Sequence, residues 1–196
     1  MKNKYEIIIG CDIGLNGGLA FFDFVSRELL SVYPMPTMKN PKNDKNSLDL
    51  DRLHFILEIP KVHNDQALIV MEDVHAFPGQ GSVAIGTLME QKGILRGMTK
   101  ALGYDELLVQ PKTWQKFFGL VPPKDLKGST SAKTKTLRKK WLKEESLKCA
   151  RGLFPEWENK LSKSTDHGLS DAILIGDWGL LLKEENKSPL DELGQD

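Results

Sequence analysis

Short apolar runs alternate along the chain with longer segments in which apolar residues recur at helical spacing. An apolar, β-branched run ending at Asp12 predicts a first strand, residues 19–24 return across a glycine-rich turn, and residues 28–36 form a third strand. A polar segment follows as far as Ser47, which caps a helix that Pro60 closes. The first third of the chain is therefore predicted to be a three-stranded meander followed by a crossover helix.

The rest of the chain predicts two more strands, each followed by helices. The predicted elements are a strand at 67–74, a helix at 82–102 that Gly103 ends, a strand at 107–110, and helices at 111–120, 137–154 and 166–183. A loop rich in Pro, Gly, Ser, Thr and Lys precedes the second of these last helices. The order β-β-β-α-β-α-β-α-α-α is that of the ribonuclease H-like α/β fold, a five-stranded mixed sheet with helices on both faces.

Length and composition are those of one domain with a substantial core. The chain has 196 residues, 40% of them hydrophobic, and its formal net charge is zero. We expect one domain over residues 1–184, with a basic insertion at about 120–143, and an acidic, frayed tail over 185–196. Cys11 and Cys149 are too few for a disulfide framework or a zinc site, which favours a reducing compartment. Since no apolar run is long enough to span a bilayer, we expect no membrane span and a cytoplasmic location.

One carboxylate, Asp12, ends the first apolar strand, and Gly14, Gly17 and Gly18 follow it in a tight turn. A lone ionised Asp buried among apolar residues would cost several kcal/mol. Asp12 therefore lies at an exposed strand end or binds something positive, and a cation held at the strand end satisfies both conditions. The structural alternative is an edge Asp that caps a glycine-rich hairpin.

Two other positions place acids near apolar elements. Glu72 and Asp73 end the strand at 67–74, and because side chains alternate along a strand, only one of them shares the face of Asp12. Glu72 is the favoured choice, with Asp73 left open. Asp171 lies among the apolar residues of the last helix, although a solvated helical position would explain it as well.

The last helix also offers a fourth candidate. At 100° per residue His167 lies about 40° from Asp171 around the helix, whereas Asp166 lies about 140° away. His167 is the better candidate ligand, and a His in a capping turn is the alternative. Carboxylates with one imidazole and no paired thiols suit Mg²⁺ or Mn²⁺. Two such ions about 4 Å apart can activate water and stabilise the leaving oxygen in phosphodiester hydrolysis.

Basic residues concentrate between positions 112 and 143, which we call the basic segment. It contains ten basic residues and one acid, Asp125, giving a local charge of plus nine. This asymmetry indicates a nucleic-acid partner, although a solvated lysine-rich helix face explains part of it. His75 and Phe77 follow Glu72 and are candidates for stacking on a base, or Phe77 is a loop anchor. The basic residues are Lys112, Lys116, Lys124, Lys127, Lys133, Lys135, Arg138, Lys139, Lys140 and Lys143.

Five stretches, taken in order, resemble the RuvC-type Holliday junction resolvases, more closely the divergent phage and chloroplast branches than the bacterial housekeeping enzyme. The stretches are GCDIGLNGG, VMEDV, LMEQKGILRGM, QPKTW and HGLSDAILIG. The resemblance covers nearly the whole chain and implies metal-binding carboxylates at Asp12, Glu72 and Asp171. It also implies active-site lysines at Lys112 and Lys143 and a homodimer packed partly through the helix at 82–102.

The chain departs from the family pattern at two places. The family often has Asp or His three residues before its last Asp, where this chain has Gly168. The helical geometry favours His167 as the residue that takes this role, and Asp166 is the second candidate. The basic segment is also longer than in the bacterial enzymes, and this difference in length weakens the match of Lys143 to the family's lysine.

These observations predict a Mg²⁺-dependent, structure-selective endonuclease that cleaves phosphodiester bonds in branched DNA and resolves Holliday junctions by paired nicks. We expect no organic cofactor and no membrane partner, and a phage-encoded protein would act in the cytoplasm of a bacterial host. One alternative is a small-molecule kinase of the actin-like fold, in which Asp-x-Gly on a first hairpin also binds nucleotide phosphates, although such kinases need about twice this length. Another is a non-catalytic junction-binding protein.

Overall fold

A computed structural model describes residues 4–41, 44–63, 65–75, 81–127 and 131–182. The strands are β1 Ile7–Asp12, β2 Gly18–Asp23, β3 Leu29–Pro34, β4 Thr37–Lys39, β5 Asn46–Leu48, β6 Ala67–Glu72 and β7 Asp105–Val109. The helices are α1 Leu50–Leu57, α2 Ile59–Val62, α3 Ser82–Ala101, α4 Pro111–Phe117, α5 Ala132–Leu153 and α6 His167–Leu181. Two 3-10 helices occupy Lys124–Leu126 and Pro155–Leu161.

Five strands form one mixed sheet in the order β3-β2-β1-β6-β7. The meander β1-β2-β3 is antiparallel, while β6 and β7 run parallel to β1. The parallel strands therefore end at the same edge of the sheet, and the pairing of Cys11 with Met71 brings the last residues of β1 and β6 side by side. This edge carries the acids that end β1 and β6.

Helices cover both faces of the sheet and bury two separate sets of apolar side chains. Ile8 and Val70 pack on one side with α4, α5 and α6, which we call the α6 face. Ile9 and Ile69 pack on the other side with α1 and α3, which we call the α3 face. The predicted five-stranded mixed sheet with helices on both faces is confirmed.

Helix α6 lies directly on the centre of the sheet. It is buried on nearly all sides because it packs between the strands and α5, which explains its apolar composition. At Gly10 a Cβ atom would overlap the backbone of Ala172 and Gly176, so the absence of a side chain permits this close approach. The contact places the first half of α6, including Asp171, over the end of β1.

Several element boundaries differ from the prediction because local hydrogen bonds decide them. Asp49, not Ser47, caps α1, since its side chain accepts a hydrogen bond from the backbone N–H of Arg52 at 3.0 Å. Pro60 does not close that helix but lies in the first turn of α2, where a missing N–H has no cost. The segment predicted to be polar loop contains the β4–β5 hairpin.

The basic helix was also predicted to begin too late. It starts at Ala132 because the Ser131 side chain accepts a hydrogen bond from the backbone N–H of Thr134 at 3.1 Å. Residues 132–136, predicted as loop, are therefore helical. The predicted tail, residues 185–196, lies outside the described residues, and within the described part no helix is long and apolar enough to cross a membrane.

Candidate active site

Asp12 and Glu72 end the neighbouring parallel strands β1 and β6 and belong to the same face of the sheet. Ile8 and Val70, at alternate positions of these strands, pack on the α6 face, so both acids project to that face. Asp73 projects to the α3 face, where Lys92 of α3 donates a hydrogen bond to it at 2.7 Å. The alternation along β6 therefore separates the two adjacent acids as predicted.

Asp171 joins this edge from α6. It is held by Ser146 of α5, whose hydroxyl donates a hydrogen bond to Asp171 Oδ1. Ser146 and Ser170 are both buried, and their hydroxyl oxygens lie 3.0 Å apart. Helix α5 thus fixes the orientation of the third carboxylate from the side opposite the sheet.

The three carboxyl groups share one electrostatic environment. Burial, followed by the charges of Asp171 and Glu72, raises the pKa of Asp12 well above its ordinary value, against the opposing charge of Lys143. Burial raises the pKa of Glu72 to about 7, with a further rise from Asp171 and an opposing hydrogen bond from Trp114. Burial raises the pKa of Asp171 to about 6, although Ser146 and Lys143 oppose the rise. Each carboxylate is therefore costly to ionise without a positive partner.

A divalent cation fits this arrangement. Among the described residues, no ion pair within 4 Å involves Asp12, Glu72 or Asp171, so the negative charge is left for another partner. Carboxylate oxygens are the ligands that Mg²⁺ and Mn²⁺ prefer. Among the described residues, no group of three or more His, Cys, Asp or Glu side chains is arranged to hold an ion. Mg²⁺ usually keeps several waters and binds through one or two carboxylates and substrate phosphates, so it does not require a complete set of protein ligands.

The residues before Asp171 have different surroundings. Asp166 precedes α6, accepts a hydrogen bond from the backbone N–H of Lys163 at 2.8 Å, and lines a separate cavity beside Asn16. A Cβ at Gly168 would overlap the Asn16 backbone, so this position has no room for the Asp or His of the family pattern. Burial and the charge of Lys143 lower the pKa of His167 below its ordinary value, partly offset by Asp166. The lowered pKa favours the neutral form of His167, which lies near Lys143.

The two candidate lysines occupy different surroundings. The charge of Lys143 acts on Asp12, Asp171 and His167, which places this exposed side chain beside the carboxylates. Lys112 is exposed on α4 and, with Lys116 and Phe117, lines a cavity of about 610 Å³ between α4 and the end of α6. The structure links Lys143, rather than Lys112, to the acidic cluster.

The remaining basic candidates lie along α5. Lys139, Lys140 and Lys143 line one cavity with Ser164, and Lys140 also lies 3.8 Å from Glu144. Lys133 and Lys135 are exposed in the first turns of α5, and Arg138 is half-buried. These side chains extend from the acidic cluster along the surface of one helix.

The loop after β6 is described only in part. His75 is exposed, and its Nε2 lies 2.9 Å from Asp73 Oδ2, which also accepts a hydrogen bond from Gln110. Although burial opposes it, hydrogen bonds and charges from Lys92 and His75 hold the pKa of Asp73 below its ordinary value. Phe77 lies outside the described residues.

Sequence reasoning missed Trp114 and Ser146 as site residues. Trp114 is buried, and its indole N–H donates a hydrogen bond to Glu72 Oε1 at 2.9 Å. The position of Trp114 just after a predicted strand end was a signal in retrospect, because that strand end meets the edge bearing Glu72. Ser146 carried no such signal, since a serine inside a lysine-rich helix predicts only a solvated position.

Comparison with known proteins identifies the fold. No family profile matches the chain, and no curated protein sequence does. The structure of Thermus thermophilus RuvC in complex with a Holliday junction substrate is similar, with a TM-score of 0.56 and 15% identity over 91% of this chain and 96% of that chain. Another Thermus thermophilus RuvC structure has a TM-score of 0.49 and 13% identity, over 92% of this chain and 96% of that chain. The similarity to the first of these structures, together with the strand order, shows that the chain has the ribonuclease H-like fold seen in RuvC.

Proposed function

We propose that the protein is a divalent-cation-dependent endonuclease that cleaves phosphodiester bonds in branched DNA and resolves Holliday junctions. The observation that carries the proposal is the convergence of Asp12, Glu72 and Asp171 at one edge of the sheet, with pKa values raised by burial. The RuvC of similar fold was solved with a Holliday junction substrate, which supports branched DNA as the substrate class.

Asp12, Glu72 and Asp171 would hold Mg²⁺ or Mn²⁺, in one or two ions, through their oxygens. A bound cation supplies an activated water and Lewis-acid stabilisation of phosphoryl oxygens. The raised pKa values mean that protons compete with the cation for these carboxylates near neutral pH. Ser146 keeps Asp171 oriented toward the cluster by its hydrogen bond.

Lys143 and His167 complete the surroundings of the scissile phosphate. Lys143 is exposed beside the carboxylates and supplies a positive charge for a phosphate oxygen. The lowered pKa of His167 favours its neutral imidazole, which can accept a proton or form a ligand bond. Asp166 is engaged with the Lys163 backbone and remains the weaker candidate.

The basic segment binds the DNA backbone on either side of the cut. Its lysines on α5 continue from Lys143 to Lys133 along one helix, which suits a run of phosphates rather than base edges. Lys112 and Lys116 on α4 extend the positive surface.

A homodimer would deliver the paired nicks that resolve a four-way junction. The N-terminal half of α3 is little covered in the single chain, where Val83 is 75% exposed. Gly86, Gly93 and Gly97 have open space beside them, so a second helix can approach closely. This exposed side of α3 supports the expectation that a second copy packs there.

The test is cleavage by single-carboxylate variants. Asp12→Asn, Glu72→Gln and Asp171→Asn should each reduce cleavage of a labelled four-way junction with Mg²⁺ by more than about 100-fold, because each removes a charge from the cation site. Junction binding in EDTA should stay near wild type, measured by mobility shift.

Asp73→Asn serves as the matched control, since Asp73 projects to the other face of the sheet. A fork and a linear duplex, each assayed with Mg²⁺ and with EDTA, establish selectivity. If any of the three site variants cleaves the junction at the wild-type rate, that residue is not part of the site. If the wild-type protein cleaves duplex and junction equally, the proposed structure selectivity is contradicted.

A further inference from the structure

Trp114 makes a directed contact with a carboxylate of the candidate active site. Its side chain is 1% exposed, and its indole N–H donates to Glu72 Oε1 at 2.9 Å. An indole offers one donor and no acceptor, so this bond uses its whole hydrogen-bonding capacity. The ring therefore contributes apolar packing and one polar contact, which is made to Glu72.

The fold determines where this donor points. β7 pairs in parallel with β6, with Val109 beside Glu72, and α4 begins two residues later at Pro111. The first turns of α4 therefore start at the edge of the sheet that carries the acids. Trp114 packs there in the same core as Val109 and Trp178, which holds the ring in place.

The bond occupies one of the two oxygens of Glu72. Among the hydrogen bonds between described residues, Trp114 is the partner of Oε1, and none involves Oε2. In the described part of the chain, every fully buried side-chain oxygen has a hydrogen-bond partner. Since Oε2 has none there, it is not fully buried and remains accessible. A carboxylate fixed at one oxygen and open at the other is suited to present a ligand atom.

We propose that Trp114 is a positioning residue that fixes Glu72 through Oε1 and leaves Oε2 to bind a divalent cation with Asp12 and Asp171. The inference rests on the proposed function, because Glu72 is assigned there as a cation ligand. It adds that the α4 layer, and not only the strand ends, sets the geometry of the site. Partners that orient metal ligands in this way typically change metal affinity by about 10- to 100-fold when they are removed.

The competing explanation is that Trp114 is a core residue whose contact with Glu72 has no role in the site. Trp178 is the matched control, because it is also buried in the same core and makes no described contact with a site carboxylate. Trp114→Phe and Trp178→Phe each shrink a buried indole to a phenyl ring. Trp114→Phe alone removes a donor from Glu72.

The first readout is binding of Mn²⁺ to the DNA-free full-length chain, followed by the electron paramagnetic resonance signal of free Mn²⁺. Trp114→Phe should weaken Mn²⁺ binding by about 10- to 100-fold, whereas Trp178→Phe should change it by less than about threefold. Site-specific replacement of Trp114 by benzothienylalanine, which keeps the bicyclic shape and lacks the N–H, should reproduce the Trp114→Phe result. This second variant decides the matter if the smaller ring prevents folding.

A double-variant cycle shows whether Trp114 acts through Glu72. In a Glu72→Gln background, loss of the N–H should add less than about threefold to the loss of Mn²⁺ affinity, because the ligand it positions is already removed. Equal losses for Trp114→Phe and Trp178→Phe, or a full additional loss in the Glu72→Gln background, would overturn the inference. Wild-type protein that binds no Mn²⁺ and cuts no junction would instead overturn the proposed function.

Discussion

Glu72 shows how the charge of a single residue depends on where its strand ends. The side chain leaves β6 on the α6 face, where burial disfavours its ionised form and the neighbouring Asp171 disfavours it further. Asp73, one residue later, has Lys92 and His75 as partners and stays ionised more easily. Two adjacent acids thus differ in pKa because one faces a cluster of like charge and the other faces cations.

The raised pKa predicts how stability depends on pH in the absence of metal. Folding raises the pKa of Glu72 from 4.5 to about 7, so the protonated form favours the folded state. The stabilisation is complete below about pH 4.5 and is lost as pH rises through 7, and it corresponds to about 3 kcal/mol. Between pH 5 and 8, the free energy of unfolding of the wild type should therefore fall by about 3 kcal/mol more than that of Glu72→Gln. Urea unfolding in EDTA measures both.

Two controls accompany that measurement. Glu90→Gln changes an exposed acid on α3 and should leave the pH dependence of wild type unaltered. Saturating Mg²⁺ should restore stability to the wild type at pH 8, because a cation that binds the folded state stabilises it, and should restore less to Glu72→Gln. A wild type that is equally stable at pH 5 and 8 in EDTA contradicts the burial of this carboxylate.

At the level of elements, the contact between α6 and the sheet determines whether the three acids meet. Gly10 in β1 lets the backbone of α6 approach the strand at Ala172 and Gly176. Asp171 precedes Ala172, so this contact sets its distance from Asp12. The sequence showed glycine at these positions without showing that they oppose each other.

A methyl group at Gly10 should therefore affect both stability and activity. In Gly10→Ala the new Cβ meets backbone atoms that have no rotamer with which to move away, so α6 must shift, at a cost of about 1–3 kcal/mol or more. Junction cleavage should fall by more than the fraction unfolded accounts for, since Asp171 moves with α6. Thermal unfolding and cleavage at 20 °C below the midpoint measure the two effects.

Gly152→Ala is the matched control, because a Cβ there meets open space in helix α5. It should be neutral or stabilise by up to about 1 kcal/mol, as alanine has the higher helix propensity. A Gly10→Ala protein with wild-type melting and cleavage would show that α6 does not rest on β1 as described.

The elements also show what the sequence was able to predict. The five sheet strands and the main helices were predicted from the spacing of apolar residues, which can be read from short stretches of sequence. The structure confirms their presence. The start of α5 depends on the Ser131 cap, whose side chain accepts a hydrogen bond from the backbone N–H of Thr134, and the surrounding lysine- and threonine-rich composition does not reveal this cap. Asp12, Glu72 and Asp171 were singled out because acids are unusual in apolar elements, whereas Trp114 and Ser146 have their contacts through tertiary packing that no local pattern encodes.

At the scale of the whole molecule, a net charge of zero is combined with a strongly uneven distribution. The positive charge lies on α4, α5 and the connection between them, next to an edge of the sheet that is acidic. Under the proposed function, such an arrangement would attract the DNA backbone to the surroundings of the site, while the carboxylates would repel it unless a cation were bound. Affinity and cleavage should therefore depend on separate sets of residues.

Removing four lysines of α5 tests this separation. Replacing Lys133, Lys135, Lys139 and Lys140 with Ala should weaken binding to junction and duplex alike, since phosphate contacts carry no information about sequence or branching. Each lost contact should lower the slope of log affinity against log salt by roughly 0.9. Lys140, which lies 3.8 Å from Glu144, should contribute least. Fluorescence anisotropy in EDTA at several salt concentrations measures the slope for the junction and the slope for the duplex.

The control variant loses the same amount of charge from another part of the surface, by replacement of Lys39, Lys45, Lys61 and Lys100 with Ala. Its salt slope should differ from that of the wild type by no more than about 0.9, the change expected for one phosphate contact. Selectivity for branched DNA should survive in the α5 variant, because we expect it to come from the spacing of two active sites in a homodimer rather than from these lysines. An α5 variant with the wild-type salt slope would mean that DNA follows another surface. A variant that keeps duplex affinity but loses junction preference would assign α5 to the recognition of branching instead.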